Sequence, residues 1–202
     1  MSFPAFFGQA PSIRLRDPLA AFLGTAEDGV IHYTYADVVK LAGHSCPTVA
    51  GAYLMTVKAL KTLYGEDLPE RGAIKVIFGE RSTDGVTGVI ANVVSFLTGA
   101  TTDTGFKGLR GHFDRRNLLA FEQPVEGQIS FQRIDTGAQV SVTFNSAIVP
   151  PPPGLFPALL HALEGPATPE EKQAFATLWQ DRVQQIFEQA DNPELVTIRM
   201  QA

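Results

Sequence analysis

Cysteine is almost absent: the 202-residue chain has one, Cys46. A single cysteine excludes an internal disulfide framework and any zinc site assembled from several cysteines of one chain. Positive charge is also scarce. Lys and Arg number 16 against 21 Asp and Glu, for a net charge of −5, and no polybasic run occurs. Nucleic acids and anionic membrane surfaces are bound through clustered Lys and Arg, so neither is expected as a partner. Long apolar runs are missing too. The most apolar stretch, residues 86–98, covers about two-thirds of the length needed to span a bilayer. The apolar start beginning Met1-Ser2-Phe3 lacks a positive charge and is broken by Pro4, Gly8 and Pro11, which makes it a poor signal peptide. The expected compartment is the cytoplasm.

What remains is an ordinary globular composition, 45% hydrophobic and 18% charged, long enough to bury a core without disulfide or metal staples. Residues 1–16 read as an irregular arm. Asp17-Pro18 opens a short helix, because Pro suits the first helical position. Residues 30–33 read as a short strand and 35–41 as a short helix stopped by Gly43. Residues 48–64 form a longer helix with Val49, Ala52, Tyr53, Met55, Leu60 and Leu63 inward. Gly51 and the alanines of that helix predict a close approach to another backbone. Residues 73–78 alternate as a strand. A helix capped by Thr83 or Asp84 then runs to Leu97, apolar nearly all round and therefore expected to be buried. A long loop rich in Gly and Thr follows, residues 100–116.

Strands are predicted at 118–122, 128–134 and 138–144. The last two join at Asp135-Thr136-Gly137, where Gly tolerates the positive φ of a tight turn. Pro150 to Pro153 form a stiff spacer. Helices follow at 156–163 and from Thr168-Pro169-Glu170-Glu171, a capping-box spacing, to Ala190. The predicted class is α+β: an antiparallel sheet packed on buried helices. Residues 1–150 form the core domain and 151–202 a C-terminal helical extension.

The most informative stretch is Gly43-His44-Ser45-Cys46-Pro47. Gly43 permits a sharp turn and Pro47 suits the start of a helix. His44 and Cys46 therefore sit near the positive end of a helix dipole, a field that stabilises a thiolate. A thiolate and a neutral imidazole are good ligands for zinc or iron. They equally suit a nucleophile with its base, or a packed cysteine beside a capping histidine. His112, in the glycine-rich loop, is a candidate to complete a metal site, as are the carboxylates Glu80 and Asp84; Asp84 also suits a helix cap. His32 and His161 read as structural. Arg110, Arg115 and Arg116 read as a solvated face or as binders of an anion beside the helix start.

The Gly43-His44-Ser45-Cys46-Pro47 stretch, followed by a small-residue helix, resembles the FmdE-like family, named for a component of formylmethanofuran dehydrogenase. Members carry His-Gly-His-X-Cys-Pro-Gly entering a helix, a later Cys-X-X-Asp-Ala helix start, and Thr-Gly-Cys-Thr before a Gly-Lys-Gly-rich loop. Here Asp84 matches the second feature, and Thr98-Gly99-Ala100-Thr101 with Lys107-Gly108 match the third. The resemblance covers residues 30–145 in the right order. Ala42, Arg81 and Ala100 stand where the family has its first His and two further Cys. The resemblance implies an α+β core that dimerises, a metal-associated pocket and a variable C-terminal extension.

On that basis the chain is expected to be a homodimeric, metal-binding accessory or pocket protein. His44, Cys46 and His112 are the expected ligands of a divalent metal, zinc or iron, and Asp84, Thr101 and Lys107 the expected small-molecule ligand-binding residues. Two alternatives stay open. One is a small-molecule enzyme using Cys46 as nucleophile and His44 as acid/base. The other is an interaction module in which both side chains are simply packed.

Overall fold

The computed structural model describes residues 3–201; Met1 and Ser2 of the apolar start, and Ala202, lie outside the described residues. The fold is α+β. Helix α3 (Pro47–Tyr64) is its centre. Pro47 occupies the first position, and Val49, Ala50, Tyr53, Leu54 and Leu60 are fully buried. Gly51 does make a close approach, but to a side chain and not to the expected backbone: a Cβ added there would fall 2.5 Å from the Phe144 ring. Helix α3 lies over the main sheet on one side. On the other it meets α2 (Tyr35–Ala42), α4 (Thr87–Thr98) and α6 (Pro169–Glu188).

The main sheet has the order β4-β3-β5-β6-β7, with β3 at Ile74–Phe78, β4 at Leu119–Ala120, β5 at Ile129–Arg133, β6 at Gln139–Phe144 and β7 at Val196–Gln201. The β5–β6 hairpin is the predicted one, with Phe131 opposite Val140 and Gly137 at φ 75°. Two predictions fail here. The third expected strand, 118–122, is only two residues long and runs parallel to β3, at the opposite edge from β7. The physical reason is its connection: α4 and the 99–116 loop carry the chain back across the sheet, and a crossover of that kind returns a strand parallel. The expectation of helices alone beyond residue 150 missed β7, which pairs along the whole of β6 from Gln139↔Gln201 to Phe144↔Val196. The alternation Val-Thr-Ile-Arg-Met-Gln carried that strand signal. Helices α5 (Leu155–Glu164) and α6 do form, and Thr168 and Glu171 make the predicted capping box. Val183, Ile186, Leu195 and Val196 belong to the same hydrophobic core as α3.

Residues 3–16 are more ordered than expected. Strand β1 (Ile13–Arg16) pairs antiparallel with β2 (Val30–Tyr33), with Leu15 opposite Ile31. Phe6 and Phe7 are buried in the chain's own core, Phe7 edge-on to Tyr35 at 4.9 Å. The alternation of Ile13 and Leu15 with Arg14 and Arg16 supplies one buried and one exposed face. Helix α1 (Pro18–Phe22) begins as predicted, Asp17 accepting from the amides of Leu19 and Ala20.

Helix α4 starts at Thr87, later than expected. Asp84 is no helix cap: its carboxylate accepts the Arg81 amide at 3.2 Å, closing a separate turn, and Gly85 at φ 48° then leaves helical geometry. Nor is α4 buried on every side. Ile90, Val93, Val94 and Leu97 are core residues, whereas Val89 and Phe96 are half-buried and Asn92 is exposed. That face of the helix is the wall of a cavity.

Candidate functional site

The segment between α2 and α3 is the main candidate from sequence, and the side chains of His44 and Cys46 are each tied to a nearby backbone group. His44 Nδ1 lies 3.0 Å from the Ala42 carbonyl at the end of α2. A carbonyl only accepts, so Nδ1 carries a proton and is the donor of that bond. Cys46 is the cap of α3, its Sγ accepting the Val49 amide at 3.5 Å. Between them, Ser45 is buried. Its hydroxyl pairs with Tyr35 Oη at 2.9 Å, and its carbonyl accepts both Trp179 Nε1 (3.0 Å) and Gln180 Nε2 (3.1 Å) from α6. Burial pushes the Tyr35 hydroxyl to a higher pKa than a free phenol, against the effect of the Ser45 bond.

These ties send the two candidate ligands to different places. His44 lines a cavity of about 550 Å³ walled by α1, α2, α4 and the 99–116 loop. Cys46 lines a second cavity of about 350 Å³, with Thr48, Met55, Phe144, Trp179 and Arg182. Of the other expected residues, Thr101 lies on the His44 cavity, where its hydroxyl donates to the Arg115 carbonyl at 2.6 Å. His112, Lys107 and Asp84 are exposed and line neither cavity. Among the described residues no three His, Cys, Asp or Glu side chains stand close enough together to hold a metal ion. The donors of one chain therefore do not fit a metal site with three protein ligands, the minimum for an open zinc site.

The His44 cavity has features that local sequence patterns do not connect. At one end of it Asp17 receives two guanidinium groups: Arg71 Nη1 at 2.9 Å and Arg115 Nη2 at 2.7 Å. Arg71 also donates to the Phe96 carbonyl through Nε and Nη2, tying the group to the last turn of α4. The side chains of Asp17 and Arg115 are 5% and 6% exposed, and that of Arg71 22%. Burial raises the Asp17 pKa, but the Arg71 hydrogen bond, the Arg115 charge and the Ala20 amide together hold it below the usual carboxylate value. Arg115 Nη1 is buried with no acceptor. The guanidinium fits because glycines flank it: a Cβ at Gly72 or Gly99 would fall 2.2 or 2.6 Å from Nη1. Arg115 is a possible anion binder from sequence. Arg71 is not, since nothing local in Pro69-Glu70-Arg71-Gly72 marks it out.

No family model matches the chain, and no curated protein matches it. Among solved structures it is similar to a tungsten formylmethanofuran dehydrogenase FmdE-like protein from Syntrophus aciditrophicus, at 18% identity. The overlap covers 84% of this chain and 72% of that one, with a TM-score of 0.43. A likeness of that extent carries no argument about what the chain binds. None of the helices among the described residues is long and apolar enough to cross a membrane.

Proposed function

We propose that the chain is a small-molecule pocket protein whose ligand occupies the His44 cavity. The observation that carries this reading is the cavity's make-up. Its volume of about 550 Å³ lies inside the range of roughly 300–1,000 Å³ usual for small-ligand sites. One wall is apolar, from Leu19, Leu41, Val89, Val93 and Phe96, while His44, Asn92, Thr101, Arg71 and Arg115 supply a few polar groups. Apolar walls with sparse, fixed polar groups are how such sites orient a ligand. The metal-binding accessory role implied by the FmdE-like resemblance would need donors beyond those one chain brings together, for instance from the second chain of a dimer.

The test is ligand-induced stabilisation. Leu41 is 46% exposed at the cavity wall, so Leu41→Trp adds bulk there without disturbing the core. Compounds that raise the melting temperature of the native chain should lose that effect in Leu41→Trp. If a varied small-molecule library gives no shift that this substitution removes, the pocket reading is wrong. Metal analysis of untagged protein separates the rival: zinc or iron at one equivalent per chain, lost on chelation together with stability, would replace it.

A further inference from the structure

We infer that the ligand of the His44 cavity is a monoanion, a molecule with one carboxylate on an apolar body, seated against Arg71 and Arg115. This rests on the pocket reading above and names the chemistry that the pocket selects.

The charges at the site do not balance. Two guanidinium groups share one carboxylate, Asp17, in ion-pair contact. Among the described residues no Asp or Glu lines the cavity. The carbonyl end of α4 offsets part of the surplus, since a helix C-terminus acts as roughly half a negative charge, and Phe96 at that end is the acceptor for Arg71. A net positive charge remains on the part of the cavity lined by Arg71 and Arg115. An uncompensated charge there is costly, and the acceptor-free Nη1 of Arg115 marks the same shortage.

Arg71 is the accessible member of the pair. A guanidinium has five N–H donors. Its bonds to Asp17 and to Phe96 occupy three of them, so two remain, on a side chain that is still 22% exposed. A carboxylate pairs with a guanidinium more strongly than a neutral acceptor does. A phosphate dianion is less well matched: the surplus is at most one charge, and Thr101, a neutral donor on the wall, already spends its hydroxyl on the Arg115 carbonyl. The remaining wall, including Leu41, Val89, Phe96 and Phe106, suits an alkyl or aryl body.

The experiment is calorimetric titration of the full chain with octanoate, 1-octanol and octylamine, three probes with the same body and different head charges. Octanoate is expected to bind about tenfold more tightly than octanol, the size of one charge-assisted hydrogen bond, with octylamine weakest. Arg71→Met should abolish the octanoate preference and keep octanol binding. Should that variant not fold, salt dependence in the native chain decides: octanoate affinity falls several-fold from about 20 to about 500 mM NaCl while octanol affinity holds, because only a charge is screened. Equal binding of octanoate and octanol, both removed by Leu41→Trp, overturns the anion inference and leaves the pocket standing. Preference for octylamine also overturns it. Binding of none of the three, or binding that Leu41→Trp leaves intact, removes the pocket itself as the seat of these ligands.

Discussion

The two cavities flanking the α2–α3 junction differ in what their polar groups are for. At the Cys46 cavity, the polar groups that touch the motif bond to backbone, although Gln180 Oε1 is buried without a partner. The thiol caps α3, and Trp179 and Gln180 both hold the Ser45 carbonyl. Arg182 gives its Nε to the Val149 carbonyl, and burial lowers its pKa below that of a free guanidinium. At the His44 cavity, by contrast, charges are gathered from distant parts of the chain and do not cancel. Asp17 lies 54 residues from Arg71 and 98 from Arg115. The first arrangement locks a segment in place; the second leaves something for a ligand to complete.

The largest expected effect tests whether the Asp17 cluster is indeed the charged region. Asp17→Asn leaves two guanidinium groups without their counterion, and removal of one partner of a buried pair costs about 3–5 kcal/mol. Denaturant unfolding should show a loss of that order. The same carboxylate gives a pH signature. Its folded pKa lies below the unfolded one, so its contribution is fully present above the ordinary Asp value and is lost as pH falls through the folded value. Native protein should therefore lose stability in acid over that window, and Asp17→Asn should show less of the loss. A variant no weaker than the native chain would erase the contrast between the cavities.

Gly72→Ala should cost less, roughly 1–3 kcal/mol, as overpacking commonly does, because the new methyl meets the Arg115 guanidinium. Thermal unfolding reads it, and anion binding should weaken alongside. On the other side of the junction, Trp179→Phe removes one hydrogen bond to Ser45 and should cost about 1 kcal/mol with no change in ligand binding at the His44 cavity. If Trp179→Phe abolishes that binding, the two regions are not independent. Cys46→Ser is the smallest: serine is itself a favoured cap, so stability should move by less than about 0.5 kcal/mol. Loss of ligand binding in Cys46→Ser would return the thiol to the functional site.

Much of the local structure was legible because it depends on neighbours in the chain. Pro47 after Cys46 marks the start of α3, Thr168 and Glu171 cap α6, and Gly137 turns the β5–β6 hairpin. The motif at 43–47 was legible as a helix junction, and its histidine does line the cavity. What misled was the spacing of His44 and Cys46. Residues two apart looked able to share one hollow, yet each side chain satisfies the end of a different helix. The imidazole serves the carbonyl end of α2, and the thiol serves the amide end of α3. Helix ends carry opposite unsatisfied groups, and a junction of two such ends pulls its polar side chains apart.

The sequence by itself therefore determined the α+β class, most helices and the position of a polar junction ahead of a small-residue helix, because periodicity, caps and turns act over a few residues. Tertiary structure alone decided that β4 runs parallel at one edge and β7 closes the other. It also decided that the apolar surplus of α4 becomes a cavity wall, and that Asp17, Arg71 and Arg115 meet there. Those outcomes depend on contacts between residues far apart in the chain, where no local pattern records which charge will be left without a partner.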